Sequence, residues 1–251
     1  MFGKLKRKLF VYMIPKKKLA ILIFFLAAMF VLMVLSGPFS YIAFAGKLSG
    51  ITVAVDPGHG GIDGGVMVGQ YLEKDVNLKI AGRLRKKLKE EGARVILTRK
   101  QDADVSDMGP KEASRHRRDL LGRINTINQS GADLFVSIHV NSCEASYVRG
   151  SICFYETGRG DSKKLSECLQ TSLNRVTGRD LQEGELVHRE IKEGDFSLLL
   201  RETEPPGSMI EVGFATNPTE RKLLTETGYQ KEITVAIKEG IENYVAEELS
   251  D

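Results

Sequence analysis

The sequence predicts an α/β fold: a single domain with a mixed, mostly parallel sheet flanked by helices, preceded by an N-terminal transmembrane or signal helix. Three observations carry that expectation. Short apolar, β-branched runs alternate with stretches whose apolar residues recur at helical spacing. Those runs stop at glycine, proline or asparagine turns. At the front, Leu19–Leu35 carries no charged or strongly polar side chain and follows seven basic residues unaccompanied by any acid.

The N-terminal segment comes first in the chain. Lys4, Lys6, Arg7, Lys8, Lys16, Lys17 and Lys18 mark residues 1–18 as a basic cytoplasmic region. Residues 19–44 read as a signal-anchor or signal peptide, since roughly 20 apolar residues cross a bilayer core. Positive charge stays on the cytoplasmic side, so everything beyond this segment is expected to be extracytoplasmic. Ala43-Phe44-Ala45 before Gly46 has the small-x-small pattern of a cleavage site, which would release the chain near Ala45. The apolar run exceeds the ~7–15 residues of a usual signal-peptide core, which favours a retained membrane anchor.

Residues 45–50 are expected to be a linker and 51–247 one catalytic domain. The run Ile51–Val55 predicts a buried strand ending at Asp56-Pro57-Gly58. Asp75 is the expected N-cap of a helix carrying Leu78, Ala81, Leu84 and Leu88 on one face, with Gly92 closing it. Arg94–Thr98 follows as a second strand, which completes a β-loop-α-β unit. The pattern then repeats: Leu120, Leu121, Ile124 and Ile127 share a helical face, and Leu134–Ile138 is an apolar strand halting at His139. A strand is expected over Gly150–Tyr155, an amphipathic helix over Lys163–Val176, and a strand over Ser208–Val212 after the Pro205-Pro206-Gly207 turn. Asn217, Pro218 and Glu220 spell a helix start, and Ile233, Ile237, Ile241 and Val245 line the last helix. Lys100–Arg118 has weak periodicity and mixed charge, and reads as a solvated loop holding a short helix.

The formal net charge of +3 comes from the N-terminal run; without those seven residues the chain has an acidic excess of four. That balance excludes a nucleic-acid-binding footprint. Cys143, Cys153 and Cys168 are too few for a disulfide framework, so at most one pair could bridge, and none stands in a Cys-x-x-Cys pair, so they are expected to be structural or incidental rather than nucleophile or metal ligand.

Four histidines occur, at 59, 116, 139 and 188. His59 lies in the glycine-rich loop leaving the first strand, and His139 ends the Leu134–Ile138 strand. Ligand sites of open α/β sheets gather at the carboxyl ends of strands, so these two can meet. Two imidazoles and one carboxylate make a three-ligand zinc site with an open position for water, the arrangement of a catalytic Zn2+. Glu73 is the nearest acid after the glycine loop, although a helix-end acid favoured by the macrodipole reads the same way. Glu211 sits inside the apolar run Met209–Phe214, where a charge is costly to bury unpaired; it is the expected proton-transfer carboxylate or else a paired structural ion. His116 and His188 have no assigned role and read as structural or surface residues. The glycine loop lacks the Lys-Ser/Thr ending of a P-loop and the Gly-x-Gly-x-x-Gly order, which argues against a nucleotide site.

Asp56-Pro-Gly-His-Gly-Gly61, Asp63-Gly-Gly65, Glu73, Thr98-Arg99, Arg123 ahead of Asn128, Ala132–Asn141 and Glu211–Asn217 together resemble the zinc-dependent N-acetylmuramoyl-L-alanine amidases of bacterial cell walls. The resemblance spans about residues 51–247. It implies His59, Glu73 and His139 as zinc ligands, Glu211 as catalytic carboxylate, peptidoglycan as substrate and an α/β domain. The single short domain behind a signal-anchor is most similar to the sporulation-associated, CwlD-type cortex amidases, whose product feeds muramic lactam formation. Control by an activating protein partner is expected as well, since an unchecked wall hydrolase endangers the cell. Two alternatives stand beside this one: a catalytically silent peptidoglycan-binding scaffold, and a zinc endopeptidase cutting a peptide cross-link.

Overall fold

The computed structural model describes residues 15–36, 46–111, 113–178, 187–195 and 197–249. Two compact units result, 1–45 and 46–251. In the first, helix α1 (Lys16–Ser36) is long and apolar enough to cross a membrane, with mean hydropathy 3.0 and no buried residue. The expected stretch 37–44 and the cleavage pattern at Ala43–Ala45 lie outside the described residues.

The second unit is a six-stranded sheet in the order β4-β1-β5-β8-β6-β7. Its strands are β1 (Thr52–Pro57), β4 (Arg94–Leu97), β5 (Leu134–Asn141), β6 (Ile152–Tyr155), β7 (Lys192–Glu193) and β8 (Gly207–Phe214). β4, β1, β5 and β8 run parallel, whereas β6 is antiparallel to β8. The expected mixed, mostly parallel sheet is what forms. A two-stranded hairpin, β2 (Met67–Val68) with β3 (Tyr71–Leu72), stands apart from it.

Helices cover both faces, and strand alternation decides which residues they meet. Val53, Val55, Val136 and Ile138 face α2 (Glu73–Glu90), α4 (Gly160–Leu173) and α7 (Thr227–Glu248), in a core that includes Ile80, Leu84, Leu169, Ile233 and Ile237. Ala54, Phe135, Phe154 and Phe214 face α3 (Arg115–Asn128) and α5 (Leu198–Glu202) through Ile124, Ile127, Leu199 and Leu200. Both cores are built from residues within 46–251. α6 (Pro218–Thr225) starts as expected, with the Asn217 side chain accepting from the Thr219 and Glu220 backbone N–H groups.

Three expectations need correction. Helix α2 begins at Glu73, so Asp75 lies inside its first turn and Leu72 is the N-cap. The glycine loop replaces a capping side chain: Glu73 N donates to Val66 O and Lys74 N to Gly64 O, satisfying amides that a cap would otherwise take. Helix α4 runs over Gly160–Leu173, and the chain turns at the Asn174 C-cap before Val176. β5 continues through His139 to Asn141 because pairing with β8 persists past the histidine, with a register irregularity between His139 and Asn141. Lys100–Arg118 does hold a short helix, a 3₁₀ turn at Ser106–Met108. It is also more than a solvated face: Asp102 accepts from the Gly61 amide and pairs with Lys74, which donates to Gly61 O. The three cysteines are unpaired, with Cys153 and Cys168 buried.

Candidate metal centre

Parallel pairing of the three central strands builds the site. β1 pairs with β5 at Pro57↔Ile138, and β5 pairs with β8 at His139↔Glu211. His139 and Glu211 are therefore side-by-side neighbours on one face, and the chain leaving Pro57 delivers His59 to the same edge. Glu73 arrives from the first turn of α2, on the helix covering the other face. The sequence-selected residues meet.

The contacts are close. Glu73 Oε1 lies 3.3 Å from His59 Nε2 and 3.1 Å from His139 Nδ1. All three ligand atoms fall within 4.8 Å of one another. A tetrahedral site with bonds of ~2.0–2.1 Å has edges of about 3.3 Å, so two of the three separations already match a metal cage. The imidazoles stand 80° apart in plane with centroids 4.9 Å apart, aimed at common ground rather than stacked.

Surrounding groups fix each ligand. His59 Nδ1 bonds Asp63 Oδ2 at 2.9 Å, which leaves Nε2 for the cage and orients the ring as carboxylates orient metal-bound histidines. Glu73 is buried, and the Val66 and Val140 amides with Asn77 Nδ2 donate to its oxygens. Two glycines are demanded by contact. A Cβ on Gly58 would come within 2.2 Å of the His139 ring, and one on Gly65, whose φ is +65°, within 2.4 Å of Glu73 Oε2. His59 itself takes φ 60°, a left-handed conformation uncommon for a side chain with a Cβ. Arg123 Nη2 holds it there, donating to His59 O at 2.7 Å.

The electrostatics separate the two glutamates. Burial alone would raise Glu73, but hydrogen bonds and charge from His139 and His59 outweigh it and hold this carboxyl well below its usual range. Burial opposes protonation of His59 too, yet Glu73 and Asp63 lift it to about 9, a measure of the negative potential a cation would meet. Glu211 goes the other way: burial, reinforced by Glu73 and opposed by the histidines, raises it to about 7. Its Oε2 is shielded from solvent and has no hydrogen-bond partner. A carboxyl poised near neutrality can both take and return a proton. These side chains line an open cleft of about 390 Å³, together with Asn141 and Val66.

Beneath the cleft lies a network whose residues the sequence displays without a role. Asp56 is 1% exposed and accepts from Arg123 Nη1 at 2.7 Å, Ser137 Oγ at 2.6 Å and Thr98 Oγ1. Arg123 also pairs with Asp119, and Arg99 donates to Pro57 O, Gly58 O and Lys74 O. An acid closing an apolar strand and an arginine on an apolar helix face were the available signals, the same reasoning that singles out Glu211. Burial would raise Asp56, but Arg123, Ser137 and Thr98 prevail and hold it at about 2 against an ordinary 3.8. Folding thus depresses this carboxyl. It contributes stability that is complete above about pH 4 and disappears as pH falls through about 2, roughly 2 kcal/mol in all. Denaturant midpoints at pH 5 and pH 2 are expected to show that share of the decline missing from Asp56→Asn. An identical decline in both proteins would refute the assignment. Of the two readings open for His116 and His188, the exposed one is what the structure has.

The sequence profile of the N-acetylmuramoyl-L-alanine amidase family matches residues 53–243. A germination-specific N-acetylmuramoyl-L-alanine amidase of Bacillus subtilis is 38% identical over 201 residues, covering 80% of this chain and 82% of its own. The CwlD amidase of Clostridioides difficile, solved in complex with the GerS lipoprotein, superposes with TM-score 0.71 and 37% identity over 79% of this chain and 100% of that one. The catalytic domain of CwlV from Bacillus (Paenibacillus) polymyxa superposes with TM-score 0.65 and 29% identity over 78% of this chain and 98% of its own. About a fifth of this chain has no counterpart in either solved structure.

Proposed function

Because this chain belongs to the N-acetylmuramoyl-L-alanine amidase family, we propose that His59, Glu73 and His139 hold a zinc ion and that Glu211 moves the proton during hydrolysis. The family reaction cleaves the amide between the muramic acid lactyl group and the L-alanine of the peptidoglycan stem peptide, and its substrate places the work outside the cytoplasm. The observation that carries the residue assignment is the pairing His139↔Glu211, which sets one ligand and one unpartnered acid side by side.

Bound zinc would supply Lewis acidity, acidifying a water molecule and offsetting negative charge that grows on the amide oxygen. The donor set fits: two nitrogens, one anionic oxygen, and an open side facing the cleft. Glu211 takes the proton from the attacking water and delivers it to the departing alanine nitrogen, so that a neutral amine leaves. Asp63 keeps His59 turned, and the Val66 and Val140 amides keep Glu73 turned, so no reorientation is needed on binding. The open cleft admits a polymer from the side.

Residues 51–247 form the catalytic domain in this reading, and α1 is retained as the signal-anchor that keeps it on the outer membrane face. Likeness to the germination-specific relative supports a role in spore cortex maturation. The complex of the similar CwlD amidase with a lipoprotein supports control by a protein partner. Mass spectrometry of peptidoglycan digested by the purified protein is expected to show free stem peptides beginning with L-alanine. Peptide fragments still joined to muramic acid would indicate an endopeptidase, and an undigested wall a silent scaffold; either result overturns the proposal.

A further inference from the structure

The domain has an acidic excess, yet one face is strongly basic. Between Lys79 and Lys89 helix α2 carries Lys79, Arg83, Arg85, Lys86, Lys87 and Lys89 with no acid. The helix buries Ile80, Ala81, Leu84 and Leu88, which leaves these cations on its outer side. Lys87 pairs with Glu90, but among the described residues no ion pair engages Lys79, Arg85, Lys86 or Lys89.

A second observation marks where. Gly82 sits mid-helix among those cations, although glycine is the poorest helix former after proline. A Cβ there would touch nothing within 4 Å, so packing inside the protein does not require the glycine. The gap it leaves is a shallow groove of about 500 Å³ bordered by Arg85, Lys86, Lys89 and Glu90. Three of the four bordering side chains are cations, and the fourth, Glu90, is paired with Lys87, so an anionic group can approach the helix backbone closely at this exposed glycine.

A third observation concerns where the chain enters the domain. Leu48 is buried and its amide donates to Glu91 O, immediately beyond the C-terminal end of α2. Only residues 37–45 separate the apolar helix, ending at Ser36, from Gly46. The basic face therefore begins next to Gly46, the first residue of the domain.

We propose that the outer face of α2, centred on Gly82, Arg85, Lys86 and Lys89, docks on the anionic phospholipid headgroups of the membrane, with lipid phosphate seated in the groove over Gly82. The net negative charge of the rest of the domain repels the same surface, so only this face can settle on it. The cleft lies at the other end of α2, beside Glu73, and stays free for the wall polymer. This surface is independent of the metal centre and of whether α1 is cleaved.

The test uses residues 46–251 and co-sedimentation with vesicles. Binding to phosphatidylglycerol-containing vesicles is expected, with release at about 0.5 M salt and none to phosphatidylcholine alone. The variant R85Q/K86Q/K89Q is expected to bind about 100-fold more weakly, since each cation near an anionic surface contributes about a fivefold share. K111Q/K163Q/K222Q, which removes the same charge elsewhere, is expected to bind as the parent does. Equal losses in both variants, no preference for anionic lipid, or capture by soluble polyphosphate without vesicle binding would each overturn the proposal. Hydrolysis of soluble muropeptides is expected to be equal in all three proteins, so a failure of the amidase reading would show separately, as an inactive parent.

Discussion

Glu211→Gln is expected to keep its full metal content and lose roughly 10²–10⁴-fold in amide hydrolysis, the usual worth of a positioned acid–base group. The replacement is nearly isosteric, so the strand keeps its pairing with His139 and Ile152 on either side. What disappears is an atom able to take a proton and return it. Stability should move the opposite way. Burial raises the Glu211 carboxyl to about 7, so folding disfavours its charge; that side chain's contribution is intact at low pH and is lost as pH rises toward 7. The neutral amide escapes this cost, and the metal-free variant should melt no lower than the parent at pH 8. Kinetics, metal analysis and thermal melting read these together. Full activity in Glu211→Gln would end its role as proton carrier.

The second large effect concerns the ligands. His139→Ala and His59→Ala should each lower zinc stoichiometry and abolish hydrolysis, because two remaining protein donors cannot close a three-ligand site. The two losses are not expected to be equal in their structural consequences. His139 fills the space that Gly58 leaves open, so its removal also empties a packed contact. His59 is held by Asp63 at φ 60°, and alanine keeps the Cβ that makes this backbone conformation costly, so removing the imidazole breaks the Asp63 bond without relieving the backbone. Metal analysis of the purified variants, with chelator-treated parent as reference, checks this. A variant that retains both stoichiometric zinc and activity would remove its histidine from the cage.

Family membership rests on motifs spread from Asp56 to Asn217, and on the match over residues 53–243. The Asp56, Arg99 and Arg123 network gives those motif residues a physical reason: it holds the backbone of Pro57, Gly58 and His59 in place from below.

Much of the fold was legible because short-range physics dictates it. Val53 and Val55 alternate with Ala54, Leu84 and Leu88 recur at helical spacing, and Asn217-Pro218 caps a helix by its own side chain; each signal is complete within a few residues. The site was legible to the extent that rare residue types lay at or near the carboxyl ends of apolar strands: His59 just beyond β1, His139 two residues before the end of β5, and an acid inside β8. Helix boundaries fared worse where a distant backbone did the capping. Asp75 looked like an N-cap, but the carbonyls of Gly64 and Val66 moved the start to Glu73, and that shift places the Glu73 carboxylate in the first turn, facing the histidines.

The sequence by itself determined the alternation of strands and helices, the apolar leading helix, and which side chains could bind a metal or carry a proton. Tertiary structure alone decided that β5 lies between β1 and β8, the order that makes His139 and Glu211 neighbours and brings His59 to the same edge. It also decided that Asp63, rather than solvent, turns the His59 ring, and that the cations of α2 share an outer face around Gly82. The reason is the range of the forces: periodicity and turn chemistry act over a few residues, whereas sheet order and the distances within a cage arise only when segments distant in the chain pack against one another, as Glu73 and His139 do from 66 residues apart.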